Sequence, residues 1–92
     1  MIFPKLITGA NHALAVGASV ATTPAFGAQT YAVRIVSTGA CHIEYNGTPS
    51  STTALVAANA PAEYLGVNPG ATLSVIQDGS STGTLHVTEL TH

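Results

Sequence analysis

From Gln29 onward, apolar and polar positions alternate with period two, and no stretch sustains the 3.6-residue stripe of an amphipathic helix. Tyr31, Val33 and Ile35 fall on one side of a strand over Gln29–Ser37, with Ala32, Arg34 and Val36 on the other. Thr38-Gly39 turns the chain. In Ala40–Asn46, Cys41, Ile43 and Tyr45 then share a side, with His42 and Glu44 opposite. Asn46-Gly47 is a strong turn signal, since both residue types tolerate positive φ. The Ser-, Thr- and Ala-rich stretch Thr48–Ala62, bounded by Pro49 and Pro61, reads as a long loop carrying a short strand near Leu55-Val56. Further strands are expected over Glu63–Val67, over Leu73–Gln77, and around Leu85, Val87 and Glu89, separated by Asn68-Pro69-Gly70 and by Asp78–Gly83. Turn signals recur roughly every 8–12 residues, the spacing of a sandwich or barrel. The pattern therefore predicts an all-β fold: an antiparallel β-sandwich, jelly-roll or Ig-like, of about seven or eight short strands.

The first 28 residues read differently from the sandwich domain expected over residues 29–92. Met1–Thr8 holds four large apolar side chains, Ile2, Phe3, Leu6 and Ile7, around Pro4. Proline lacks a ladder donor and belongs at an edge or outside a sheet. His12–Val20 alternates loosely, and Thr22–Gly27 is a connection broken by Pro and Gly. The segment is thus either an arm that docks on a neighbouring subunit or one or two edge strands of the same domain. An exposed apolar strand must be covered in either case, which makes Ile2, Phe3, Leu6 and Ile7 the candidate partner-binding residues.

Composition changes the picture in one respect. Of 92 residues 46% are hydrophobic and only 7% charged, and the formal charge is −2. That excludes the clustered Lys and Arg needed to hold nucleic acid or an anionic membrane. Ala, Gly, Ser and Thr make up 44 of the 92 residues, so the core is built from little area per side chain. A single cysteine, Cys41, excludes an intrachain disulfide, and no Cys/His cluster points to a structural metal. Small scaffolds without such staples often rely on association, so a homo-oligomer, a trimer foremost, is expected. No uninterrupted signal-type apolar run and no membrane-span-length run occurs; the chain is expected to be made in the cytosol and left unprocessed. Asn46-Gly47-Thr48 has the form of a glycosylation sequon, but reads as a turn.

No reactive constellation emerges. The four carboxylates lie one per segment, and His12, His42, His86 and His92 are scattered. Cys41 and His42 are neighbours on a strand and so point to opposite faces, which defeats a Cys–His nucleophile pair. Gly39, Gly47 and Gly70 sit in turns between strands rather than before helices, so no phosphate loop is present. Tyr31, Tyr45 and Tyr64 stand at inward-compatible positions and there is no Trp, which counts against a carbohydrate-binding module with stacking aromatics. A non-enzymatic protein without a cofactor or metal is expected.

One resemblance adds to this reading. Val33-Arg34-Ile35-Val36-Ser37-Thr38 followed by Ala40-Cys41-His42-Ile43 resembles the opening strands of small β-sandwich structural proteins of tailed bacteriophages. Pro61-Ala62-Glu63-Tyr64, Val67-Asn68-Pro69-Gly70, Val75-Ile76-Gln77 and Gly83–Glu89 are similar to the same group, so the likeness runs from Gln29 to Thr91. It implies a virion component on the capsid surface, made in the bacterial host cytoplasm. The implied role is a capsid decoration (cement) protein that bridges major capsid subunits, commonly as a trimer. A head–tail or tail protein and a small carbohydrate-binding sandwich are the alternatives.

Overall fold

The protein is described here from a computed structural model over residues 5–91, with Thr8 and Gly9 known in their backbone only. Eight strands and no helix occur among the described residues: β1 (Lys5–Val16), β2 (Ala21–Thr22), β3 (Ala32–Ser37), β4 (Cys41–Tyr45), β5 (Ala54–Val56), β6 (Glu63–Gly66), β7 (Leu73–Gln77) and β8 (Gly83–Thr91). They form two four-stranded antiparallel sheets, ordered β1-β8-β3-β6 and β2-β7-β4-β5. The pairing is nested: first strand with last, second with seventh, third with sixth, fourth with fifth. This is the jelly-roll order, in which one long hairpin is rolled into two sheets, and it differs from the four-plus-three arrangement of an Ig domain. The expected β-sandwich is therefore present, and of the two expected topologies the strand order is the jelly roll.

Alternation decides which side chains meet between the sheets. Val33 and Ile35 of β3 and Leu85 and Val87 of β8 face inward from one sheet; Cys41 and Ile43 of β4 and Leu73 and Val75 of β7 face them from the other. Each is buried, and burial of such side chains contributes roughly 1.5–3 kcal/mol apiece for the larger ones. The strand over Leu73–Gln77 lies where its pattern places it, and Cys41 and His42 do point to opposite faces, with the thiol fully buried. Burial pushes the Cys41 thiol up, against a weaker opposing hydrogen bond to Ser37, so it is a packing group rather than a nucleophile.

Two turns show how local chemistry anchors the roll. Asn46, not Gly47, takes the left-handed conformation, at φ 53°. Its amide N–H donates to the Thr72 carbonyl at 2.9 Å and its Oδ1 accepts from Thr72 N–H at 2.9 Å, tying the end of β4 to the start of β7. At Gly39 the β3–β4 turn meets the β7–β8 hairpin so closely that a β-carbon would lie 2.3 Å from the Thr82 carbonyl oxygen. Only glycine fits there.

The tyrosines depart from expectation. Tyr64 is 63% exposed, Tyr31 42% and Tyr45 38%. The phase of β6 is set by its pairing with β3, where Val33 faces Leu65 and Arg34 faces Tyr64. Leu65 therefore turns inward, and Tyr64 shares the outer face with Arg34. Tyr45 keeps the inward phase but sits at the end of β4, where it rims a cleft.

In the N-terminal segment, residues 5–16 and 21–22 each form the edge strand of a sheet. The trailing part of β1, Asn11–Val16, pairs residue by residue with Thr88–Gly83, and Leu14 and Val16 are buried. The leading part pairs Lys5 with Thr91 and Leu6 with Leu90, and the register then shifts in a bulge between Leu6 and Asn11, opposite Glu89. Ile2 and Phe3 lie outside the described residues.

Candidate functional site

The bulge adjoins a polar arrangement that ties together three segments of the described chain. Glu89 follows Leu85 and Val87 in the inward phase of β8, and His12 precedes Leu14 and Val16 in the inward phase of β1. The extra residues before His12 leave room for the two to meet at the mouth of the sandwich. His12 Nε2–H donates to Glu89 Oε2 at 2.6 Å, while Glu89 Oε1 accepts from Thr30 Oγ1 at 2.6 Å and from the Gly27 N–H at 2.9 Å. One buried carboxylate thus joins three segments that are far apart in sequence: β1, the β2–β3 connection and β8. Burial pushes the Glu89 carboxyl up, but the hydrogen bonds from Thr30, Gly27 and His12 outweigh it and hold it below its ordinary value. Above this network opens a cleft of about 380 Å³ walled by Ile7, Ala10, His12, Ala25, Gln29 and Thr30.

A second imidazole–carboxylate pair lies on the outer face of the other sheet. His42 Nδ1 meets the Thr53 carbonyl at 3.0 Å and its Nε2 meets Asp78 Oδ1 at 2.9 Å. Both ring nitrogens face acceptors, an arrangement that favours the imidazolium form, in which both carry hydrogen. The Thr53 carbonyl first and the Asp78 carboxylate second raise the His42 pKa above its ordinary value, against a smaller opposing effect of burial. The ring bridges β4 to the start of β5 and to the turn after β7.

A chiefly apolar cleft of about 460 Å³ opens between the β5 and β6 margins, with Ile43, Tyr45, Ala54, Leu65, Val67 and Leu73 in its walls. The Tyr45 hydroxyl accepts the Asn68 N–H at its rim, at 3.0 Å. On the outer faces of the same two strands, Leu55 on β5 is 59% exposed and Tyr64 on β6 is exposed.

Of the candidate partner-binding residues, Leu6 is 72% exposed and Ile7 is half-buried in the wall of the cleft over Glu89. Ile2 and Phe3 lie outside the described residues. Among the described residues, no three His, Cys, Asp or Glu side chains converge as metal ligands. The Glu89 and His42 networks were not singled out from sequence, because their partners lie 77 and 36 residues away. One signal was present: a glutamate and a histidine each in phase with the apolar residues of its strand. No protein-family model, curated protein or solved structure matches the chain.

Proposed function

We propose that this protein is a non-enzymatic docking module of a larger assembly, and specifically a virion structural protein of the capsid decoration (cement) type that bridges major capsid subunits, itself assembled as a homotrimer. The observation that carries the reading is where its large apolar side chains stand. Leu6, Leu55 and Tyr64 are among the most exposed of them, and they lie on β1, β5 and β6, three of the four edge strands. Monomeric sheet proteins protect their edges with charge, proline or a covering element. Here β5 carries no charged residue, and β1 and β6 carry Lys5 and Glu63 alone. Edges of this kind are stable in water when another chain covers them. The scarcity of charge over the whole chain agrees, since charge is depleted at interface cores. The jelly roll itself serves both capsid and lectin proteins and does not choose between them.

The test is to purify particles made by the genome that encodes the chain, identify their proteins by mass spectrometry, and locate this one in a density map. The decoration reading expects it on the outer shell, in a copy number set by shell symmetry. A position in the neck or tail would move it to another virion role, and absence from the particles would end the virion reading.

The exposed tyrosines favour a second reading, a carbohydrate-binding sandwich. Tyr64 lies exposed on the outer face beside Arg34, in one cross-strand row with Thr88, a polar setting in which an aromatic ring can stack on a sugar. Retardation in polysaccharide affinity gels that is lost in Tyr64→Ala would support it, and unchanged mobility in every gel would remove it.

A further inference from the structure

We propose that the outer face of the β1-β8-β3-β6 sheet binds an acidic saccharide, with the Arg34 guanidinium on the carboxylate of a sugar acid and the Tyr64 ring stacked on its pyranose face. The inference rests on the carbohydrate-binding reading given above and names the class of sugar.

Three observations carry it. First, Arg34 is the chain's only arginine, and it stands inside a cross-strand row of four residues. The register puts Tyr64 opposite Arg34, Arg34 opposite Thr88, and Thr88 opposite Asn11, so the row crosses the whole sheet. Second, the guanidinium has no partner. Glu89 and Asp78 each bind an imidazole, and Glu44 accepts the Tyr45 N–H. Lys5 and Glu63 are fully exposed. Among the described charged residues, Arg34 alone is half-buried and yet makes neither an ion pair nor a side-chain hydrogen bond. Its five donors form a planar fork that matches a carboxylate, and all five are open. Third, no carboxylate of the described chain shares that face. Glu89 turns inward from β8, and Glu63 lies opposite Ile35, one residue off the row. Arg34 is therefore a fixed positive point on a chain of formal charge −2, and a ligand that brings its own carboxylate is complementary to it.

The rest of the row selects a sugar among anions. A nucleic acid strand needs many basic contacts, and this face supplies one. The other members are neutral. Tyr64 is 63% exposed, and its hydroxyl makes no hydrogen bond within the described chain. Thr88 Oγ1 donates to Asn11 Oδ1 at 3.0 Å, which leaves the hydroxyl lone pairs and the Asn11 Nδ2 hydrogens for a ligand. An aromatic face, a guanidinium, and neutral hydroxyl and amide groups match the C–H face, the carboxylate and the hydroxyls of a sugar acid. The row covers three inter-strand steps of about 4.8 Å, or about 14 Å, which suits an oligosaccharide segment better than a single ring.

The experiment is affinity electrophoresis of the full chain in gels containing polygalacturonate, alginate, hyaluronate or polysialate. Each is paired with its methyl-esterified form, and polyglutamate serves as an acidic polymer without sugar. The expected result is retardation by an acidic polysaccharide that esterification abolishes and polyglutamate does not reproduce. Arg34→Gln and Tyr64→Ala should each weaken it about tenfold or more, the factor for losing a charge-assisted hydrogen bond or a stacked ring. Arg34→Lys keeps the charge but loses the fork, and should recover only part of the affinity. Equal retardation by acidic and esterified polymers, lost in Tyr64→Ala and unchanged in Arg34→Gln, would overturn the acidic assignment and leave the carbohydrate reading standing. Equal retardation by polyglutamate would reduce the effect to charge alone and also overturn it. No retardation in any gel would overturn both. Circular dichroism of each variant confirms that the sandwich is intact.

Discussion

The two imidazole–carboxylate pairs are built from the same chemistry with burial reversed. In one, the carboxylate of Glu89 is hidden (7% side-chain exposure) and His12 reaches it from a partly wet position (19%). In the other, the imidazole of His42 is hidden (8%) and Asp78 is nearly half exposed (47%). The hidden member controls each pair, because it is the one that water cannot serve if its partners are removed. Glu89 is an acceptor wrapped by three donors, so its ionised form is favoured. His42 is a donor between two acceptors, so its protonated form is favoured. One arrangement therefore opposes acid and the other opposes alkali, although each is a histidine beside a carboxylate.

The comparison is broken most directly by Glu89→Ala, which orphans the Thr30 hydroxyl, the Gly27 N–H and the His12 ring together. A loss of about 3 kcal/mol is expected, which in a domain of this size lowers Tm by roughly 12 °C or more. Asp78→Ala, measured in the same thermal scan, should lower Tm much less, since its carboxylate is wet and His42 keeps the Thr53 carbonyl. Equal falls would show that burial does not rank the two pairs.

Acid should have the next largest effect. The folded Glu89 carboxyl lies below its ordinary value near 4.5. The unfolded chain then binds the proton first as pH falls, so the contribution of Glu89 is complete above about 4.5 and is lost as pH drops through the lower folded value. Urea melts across this range should show that slope in the native sequence and a flatter one in Glu89→Gln. Identical slopes would remove Glu89 as the acid-sensitive group.

The alkaline side is expected to show a smaller effect of opposite sign. His42 titrates above its ordinary 6.5 in the folded chain. Its stabilisation is thus complete below 6.5 and is lost as pH rises through the raised folded value. Nuclear magnetic resonance of the His42 ring protons gives the midpoint, and Asp78→Asn should move it down. A midpoint at or below 6.5 in the native chain would contradict the two-acceptor geometry.

Much of the sandwich was legible before any coordinates. Period two marked β3, β4 and β7, and it put Val33 and Ile35 of β3 and Cys41 and Ile43 of β4 each on one side, the side that is buried; Asn46 and Pro69-Gly70 marked turns, and even the three-residue β5 was placed near Leu55-Val56. The N-terminal segment was harder to read because β1 carries a bulge, and a shift of register breaks the alternation that identifies a strand. Tyr64 was misplaced for a related reason. A four-residue strand such as β6 is too short for its own pattern to declare a phase, and the phase came from Arg34 and Val33 across the ladder.

The sequence by itself determined that the chain is all-β, where most strands and turns lie, and which face of the long strands is apolar. These follow from local sterics and from alternation, which act over a few residues. Only the tertiary structure decided the nested order that makes the sandwich a jelly roll, because hydrophobic burial is non-directional and the same inward faces satisfy several strand orders. It also decided that His12 meets Glu89 and His42 meets Asp78. Those contacts span 77 and 36 residues, and no local rule couples positions that come together only when the hairpin is rolled.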